Sequence, residues 1–161
     1  MESPADAGRL EAIVVRPASN ERRTLSAATL SQAGGVEGDK WAIESADLRS
    51  QVSLMNSRFL RQIAGSEDAI CLAGDNLVVD FDLSEKNLPA GTRLAIGDEV
   101  VLEITDLPHT GCSKLAARYG DEARAFMNNK QRKSLHLRGR YGCVVSGGVV
   151  HVGDSVRKLA T

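Results

Sequence analysis

The residue best placed for chemistry is Cys112, in the run Asp106-Leu107-Pro108-His109-Thr110-Gly111-Cys112-Ser113-Lys114-Leu115. A hydrophobic strand pattern ends before it, Pro108 and Gly111 bend the chain, and a helical pattern begins after it. A cysteine at a helix start meets unpaired N–H groups and the positive end of the peptide dipoles, and both favour thiolate. His109 and Lys114 are expected to add positive charge to the same turn. The competing reading is an inert cysteine at an ordinary strand-to-helix junction. A Cys–His pair does not make a zinc site, which takes three or four ligands, and His136 and His151 stand apart. Cys71, in Ala69-Ile70-Cys71-Leu72-Ala73, and Cys143, in Tyr141-Gly142-Cys143-Val144-Val145, read as small apolar core residues.

Lys130, Arg132, Lys133, Arg138 and Arg140 form a basic stretch. Lys130 to Lys133 reads as a solvated, flexible loop. Arg138 and Arg140 flank Gly139 just before an apolar strand, where guanidinium groups can fork to phosphate or carboxylate oxygens, so they are the better anion-binding candidates. Asp39 in Gly38-Asp39-Lys40 reads as a turn cap, as do Asp98 and Asp154. The chain has neither the Gly-x-x-x-x-Gly-Lys-Ser/Thr order of a P-loop nor Gly-x-Gly-x-x-Gly, so nucleotide binding has no support.

The elements that must position these residues are short. A polar leader over residues 1–9, expected to be flexible, precedes a strand from Leu10 to Arg16 that Pro17 ends. Thr24 to Ala33 is compatible with strand or short helix, and the glycines from Gly34 to Gly38 argue against a rigid element there. Gln51 to Met55 alternates as a strand does; Asn56 then caps a helix carrying Phe59, Leu60 and Ile63 and ending at Gly65. Ala69 to Leu72 and Leu77 to Phe81 read as further strands. Leu94, Ile96, Val100, Leu102 and Ile104 form a hairpin around Gly97-Asp98, and Val150 to Val156 repeats its turn chemistry. Ser113 to about Asn128 reads as helix, broken near Gly120. At least seven short strands with two or three helices predict a mainly β fold, a β-barrel with a few peripheral α-helices.

Length and composition agree with one domain over residues 10–161. With 20 basic and 21 acidic residues the net charge is −1, so nothing in the balance points to nucleic acid or an anionic membrane. Aromatic residues make up 4%, too few for a base-stacking platform. No apolar run approaches the roughly 18 residues of a membrane span. Three cysteines without framework spacing, and an N-terminus without a basic-then-apolar segment, predict a reducing, cytoplasmic setting.

In order, Gly35-Val36-Glu37-Gly38-Asp39-Lys40, Gln51-Val52-Ser53-Leu54-Met55, Gly74-Asp75-Asn76-Leu77, Leu94-Ala95-Ile96-Gly97-Asp98, Gly111-Cys112-Ser113-Lys114-Leu115, Arg138-Gly139-Arg140-Tyr141-Gly142 and Gly147 to Asp154 resemble the MOSC domain, named for the C-terminal domain of molybdenum cofactor sulfurases. The resemblance implies a stand-alone, bacterial-type MOSC β-barrel in which Cys112 carries sulfur as a persulfide or ligates molybdenum in the pterin cofactor. It further implies that Arg138, with Lys114, Arg140 and Asn76, lines the site and holds an anionic group such as the pterin phosphate. Asp39 would shape the same cleft, with His109 beside it. Lys40-Trp41 replaces the family's usual Arg-His, Asp75 its usual Glu, and His109-Thr110-Gly111-Cys112 its Arg-x-Pro-Cys. The aminotransferase-like sulfurase domain with its Schiff-base lysine has no counterpart, so no pyridoxal phosphate site is expected in this chain. Sulfur or electrons would come from a separate pyridoxal-phosphate-dependent donor or a redox partner. Three functions stay open: sulfur carrier or cofactor-binding protein, molybdenum-dependent reductase component for N-hydroxylated compounds, and a non-enzymatic binding module with an incidental cysteine.

Overall fold

β1 (Ala7–Val15) carries Leu10, Ile13, Val14 and Val15 into the interior of the molecule, which a computed structural model describes over residues 2–161. β2 (Arg23–Leu25) folds back on β1, while β3 (Ala27–Ser31) and β4 (Gly35–Val36) begin a second sheet. After the short α1 (Trp41–Glu44) come β5 (Val52–Asn56), α2 (Ser57–Ala64), β6 (Leu77–Asp80), β7 (Arg93–Ile96), β8 (Val100–Ile104), α3 (Ser113–Tyr119), α4 (Asp121–Met127), β9 (Arg140–Ser146), β10 (Gly148–His151) and β11 (Ser155–Lys158).

Seven strands close a barrel in the order β11-β7-β8-β9-β5-β6-β1, with β11 pairing back onto β1 and β2 attached beyond it. Closure removes the free edges that so many short strands would otherwise expose. The β5–β6 pair is parallel, joined by α2 and a 3-10 turn over Glu67–Ala73; the other barrel pairs are antiparallel. The fold is thus mainly β with a few helices, as the strand count predicts. Leu10, Ile13, Leu54, Leu77, Phe81, Leu94, Ile96 and Leu102 fill the interior. A second cluster, Met55, Leu60, Ile70, Val78, Leu115 and Met127, packs α2, α3 and α4 onto the outside of the barrel. That cluster fixes where the helix after Cys112 begins.

Several local expectations are corrected. Ala69–Leu72 lies in the 3-10 turn, not in a strand: a short apolar run fits either state, and Leu72 faces outward. Cys71 and Cys143 are half-buried rather than core residues. The Gly34–Gly38 loop is ordered by β4 pairing with β3, and Val36 is buried. The repeated turn at the C-terminus does not make a second hairpin: β10 pairs with β3, β11 with β7 and β1, and Asp154 accepts the His151 N–H at 2.8 Å. Of the leader expected over residues 1–9, Met1 lies outside the described residues. The rest is held: Asn56 Nδ2 donates to Ser3 Oγ at 2.7 Å, Asp82 N–H to the Pro4 carbonyl at 2.8 Å and Asn87 Nδ2 to the Ala5 carbonyl at 2.9 Å. Polar composition concealed these bonds, because the backbone supplies most of the acceptors.

Candidate functional site

The loop between β8 and α3 is latched before it reaches the thiol. Gly111 N–H donates to Asn128 Oδ1 at 2.8 Å, and Asn128 Nδ2 donates back to the Gly111 carbonyl at 2.8 Å. Buried Leu115 pins the first turn of α3 from below, and the helix ends at Gly120, whose φ of +95° suits glycine and breaks α3 from α4. Cys112 is the N-cap residue and its side chain is exposed. Burial pushes the thiol up, but the N–H groups of Leu115 and Lys114 and the charge of Arg138 outweigh it, so the thiol lies below its ordinary value. None of these N–H groups closes a regular capping bond on sulfur. The stabilisation is electrostatic, as expected at a helix start.

Arg138 is buried against Asp75: its Nη1 donates to Oδ1 at 2.9 Å and to Oδ2 at 2.7 Å. Burial raises the Asp75 carboxyl above its ordinary value despite Arg138. His109 stacks on Tyr141 with ring centroids 4.2 Å apart, and its Nδ1 lies 3.8 Å from Asp75 Oδ1, beyond hydrogen-bond distance. Burial, then repulsion from Arg138 and Arg16, holds His109 well below its ordinary value. The expectation that His109 adds positive charge is therefore overturned: the imidazole is neutral near pH 7. Buried His109 Nδ1 and Arg138 Nε have no hydrogen-bond partner among the described residues.

Asp39 and Asn76 serve a different end. Asp39 accepts from the Arg16 backbone N–H at 2.8 Å, Arg16 Nε at 3.2 Å and Nη2 at 3.0 Å, and from Trp41 N–H at 3.1 Å. Asn76 Nδ2 donates to Asp39 Oδ1 at 3.1 Å, while its Oδ1 accepts from the Ser53 N–H. Burial alone would raise the Asp39 carboxyl, but the Arg16 guanidinium brings it below the usual range. Asp39 and Asn76 thus aim Arg16 into a cleft of about 100 Å³ lined also by Arg22, Lys40, Lys114 and Arg118, with Glu21 the one acid in the lining. Burial, then the neighbouring Arg118 and Arg16, lowers Arg22, whose buried Nε has no partner among the described residues.

Lys114 and Arg118 belong to α3, so the cleft and the thiol share one helix. Arg140 does not join them: its Nη1 donates to the Leu88 carbonyl at 2.8 Å and lies 3.5 Å from Glu85, tying down the loop before β7. Arg16, Arg22 and Arg118 escaped the sequence reading because no local motif links them, and Asp75 because its pairing depends on the barrel. Among the described residues no three His, Cys, Asp or Glu side chains group as a metal-ligand set. No helix among them is long and apolar enough to cross a membrane.

The class the fold defines is a small, closed, mainly β barrel, here with an exposed thiol at the start of a helix that also lines a cationic cleft. The family follows from comparison: a MOSC domain model matches residues 49–157, and the chain belongs to the MOSC domain family. Among solved structures it is similar to the YUAD protein from Bacillus subtilis (17% identity, TM-score 0.62, covering 93% of this chain and 94% of that one). It is also similar to YiiM from Geobacillus stearothermophilus (18%, 0.62, 95% and 75%) and YiiM from Escherichia coli (18%, 0.60, 95% and 70%). At these identities the likeness is one of fold. No curated protein matches the sequence.

Proposed function

We propose that this protein binds the molybdenum cofactor, with Cys112 as the protein's ligand to the metal and the cationic cleft holding the cofactor's phosphate. The observation that carries this reading is the pairing, on one helix, of an exposed acidified thiol with a cleft where Arg22 and its neighbours repel one another. The residues fit the group: a pterin dithiolene brings its own sulfur ligands, so one thiolate suffices, and buried Arg22 Nε is a donor suited to a phosphate oxygen. When bound, the cofactor supplies a redox-active metal. The chain's own residues do the rest: the α3 N-terminus and Arg138 favour the thiolate of Cys112, the Asn128 latch orients its loop, and Asp39 with Asn76 aims Arg16 at the anion. Reconstitution with isolated cofactor, followed by metal analysis, tests this. Wild type should retain about one molybdenum per chain, Cys112→Ala should retain little, and the double variant R22Q/R118Q should bind more weakly with the thiol unchanged. Equal retention by wild type and Cys112→Ala would end the proposal.

The exposure of Cys112 favours one second reading, a sulfur carrier loaded by a separate pyridoxal-phosphate-dependent donor. The Cys112 thiolate attacks the terminal sulfur of a donor persulfide R–S–SH; a Cys112–S–SH bond forms, the donor S–S bond breaks, and R–S⁻ leaves. Mass spectrometry after incubation with a persulfide donor should then show one added sulfur in wild type and none in Cys112→Ala.

A further inference from the structure

We infer that the protein has a separate cavity, against His109 and Arg138, which takes a small organic carboxylate. The inference extends the reading of Cys112 as the reactive centre, because Arg138 both lines this cavity and acts electrostatically on the thiol. The cavity measures about 640 Å³ and lies between the loop before α3, the end of α4 and the 3-10 turn Lys130–Leu135. That volume falls within the range of small-molecule sites, roughly 300–1,000 Å³.

Its chemistry is uneven. Pro108, Met127 and Leu137 give it an apolar wall, and Lys130 and Lys133 stand at its edge. Of its two acids, Glu85 accepts from His136 Nε2 at 2.7 Å and lies 3.5 Å from Arg140, while Asp106 is exposed. Arg138 is already paired with Asp75 and His109 is uncharged. The spare charge is therefore that of Lys130 and Lys133, which take no carboxylate partner among the described residues. The basic stretch that reads in sequence as a solvated loop contributes two exposed lysines to the lining of a cavity. Apolar lining residues together with two lysines free of carboxylate partners fit an apolar body bearing a carboxylate. Asn128 also lines the cavity while holding Gly111 through two bonds, so a ligand there presses on the latch that orients Cys112.

Titration of the full chain with benzoate, followed through the methyl resonances of isotope-labelled methionines, tests the inference without any cofactor. Benzoate should shift the Met127 methyl saturably, benzamide should bind at least fivefold more weakly, and the double variant K130Q/K133Q should weaken benzoate by a similar factor. Equal binding of benzoate and benzamide would overturn it, as would an unchanged benzoate affinity in K130Q/K133Q. So would a response confined to backbone signals around Arg22 and Lys40, because that would place the anion in the other cleft. Loss of molybdenum retention in Cys112→Ala tests the cofactor reading separately and leaves the Met127 response untouched.

Discussion

Replacing Arg138 by methionine keeps most of the side chain's length and removes its charge. The Asp75 carboxyl, 1% exposed, then loses the Nη1 contacts at 2.9 and 2.7 Å and remains buried. Removing one partner of a buried pair costs about 3–5 kcal/mol, most of it the penalty on the stranded charge. The sign of the pH dependence follows from Asp75, which burial already holds above its usual value with Arg138 present and which must rise further without it. A raised carboxyl favours the folded state at low pH, below its unfolded value, and that advantage is lost as pH rises through the folded value. The deficit of Arg138→Met should be full near pH 7 and should shrink as pH falls toward the ordinary carboxylate range. Urea unfolding at about pH 7 and about pH 5 measures it, and D75N/R138M, which removes the stranded charge, should recover much of the loss near pH 7. A pH-independent deficit, or a double variant as unstable as Arg138→Met alone, would refute the account of the pair. The same substitution should also raise the pKa of Cys112, since Arg138 is one of the groups holding it down.

Other outcomes follow from single contacts. Alkylation by iodoacetamide should be fastest at Cys112, with a half-maximal rate below the usual thiol value of about 8.5, whereas Cys143, whose thiol burial pushes up, should react later in the same pH series. Asn128→Ala removes both bonds to Gly111 and should cost about 1–2 kcal/mol, with faster amide exchange at Gly111 as the local signature. Tyr119, pushed up to about 12 by burial, should ionise well above Tyr-like model compounds in an absorbance titration, and stability should fall as pH rises from about 10 toward that value. Gly139→Ala places a Cβ against the Leu54 carbonyl oxygen at a residue with φ of +108°, so it should destabilise by more than the roughly 1 kcal/mol of an ordinary glycine-to-alanine change.

How far the site can be read from the chain depends on the range of the forces that make it. The fall in the Cys112 thiol needs a helix start, and a helix start is local: Pro108, Gly111 and the spacing of Leu115 announce it. The same is true of the hairpin around Gly97, of Asn56, which accepts the Phe59 N–H at 2.9 Å, and of the break at Gly120. Ala69–Leu72 fails because four apolar residues carry no period that separates a strand from a 3-10 turn. His109 fails for a longer-range reason: burial first, then repulsion from Arg138, 29 positions away, and Arg16, 93 positions away, lowers it, and none of these acts before the chain folds. Asp39 and Asn76 show the same limit in another form. Each is polar and lies in a glycine-rich turn, but its partners come from far along the chain: both spend their hydrogen bonds on Arg16, on each other or on the strands beside them. A residue type and its neighbours disclose an acidified thiol, because a dipole and a few N–H groups act within one turn. They do not disclose an anion cleft, because Arg16, Arg22, Lys40, Lys114 and Arg118 meet only when the turn before α1 is tied to the end of β1, by the Lys40 N–H donating to the Arg16 carbonyl at 2.7 Å, and α3 docks beside them through Leu115.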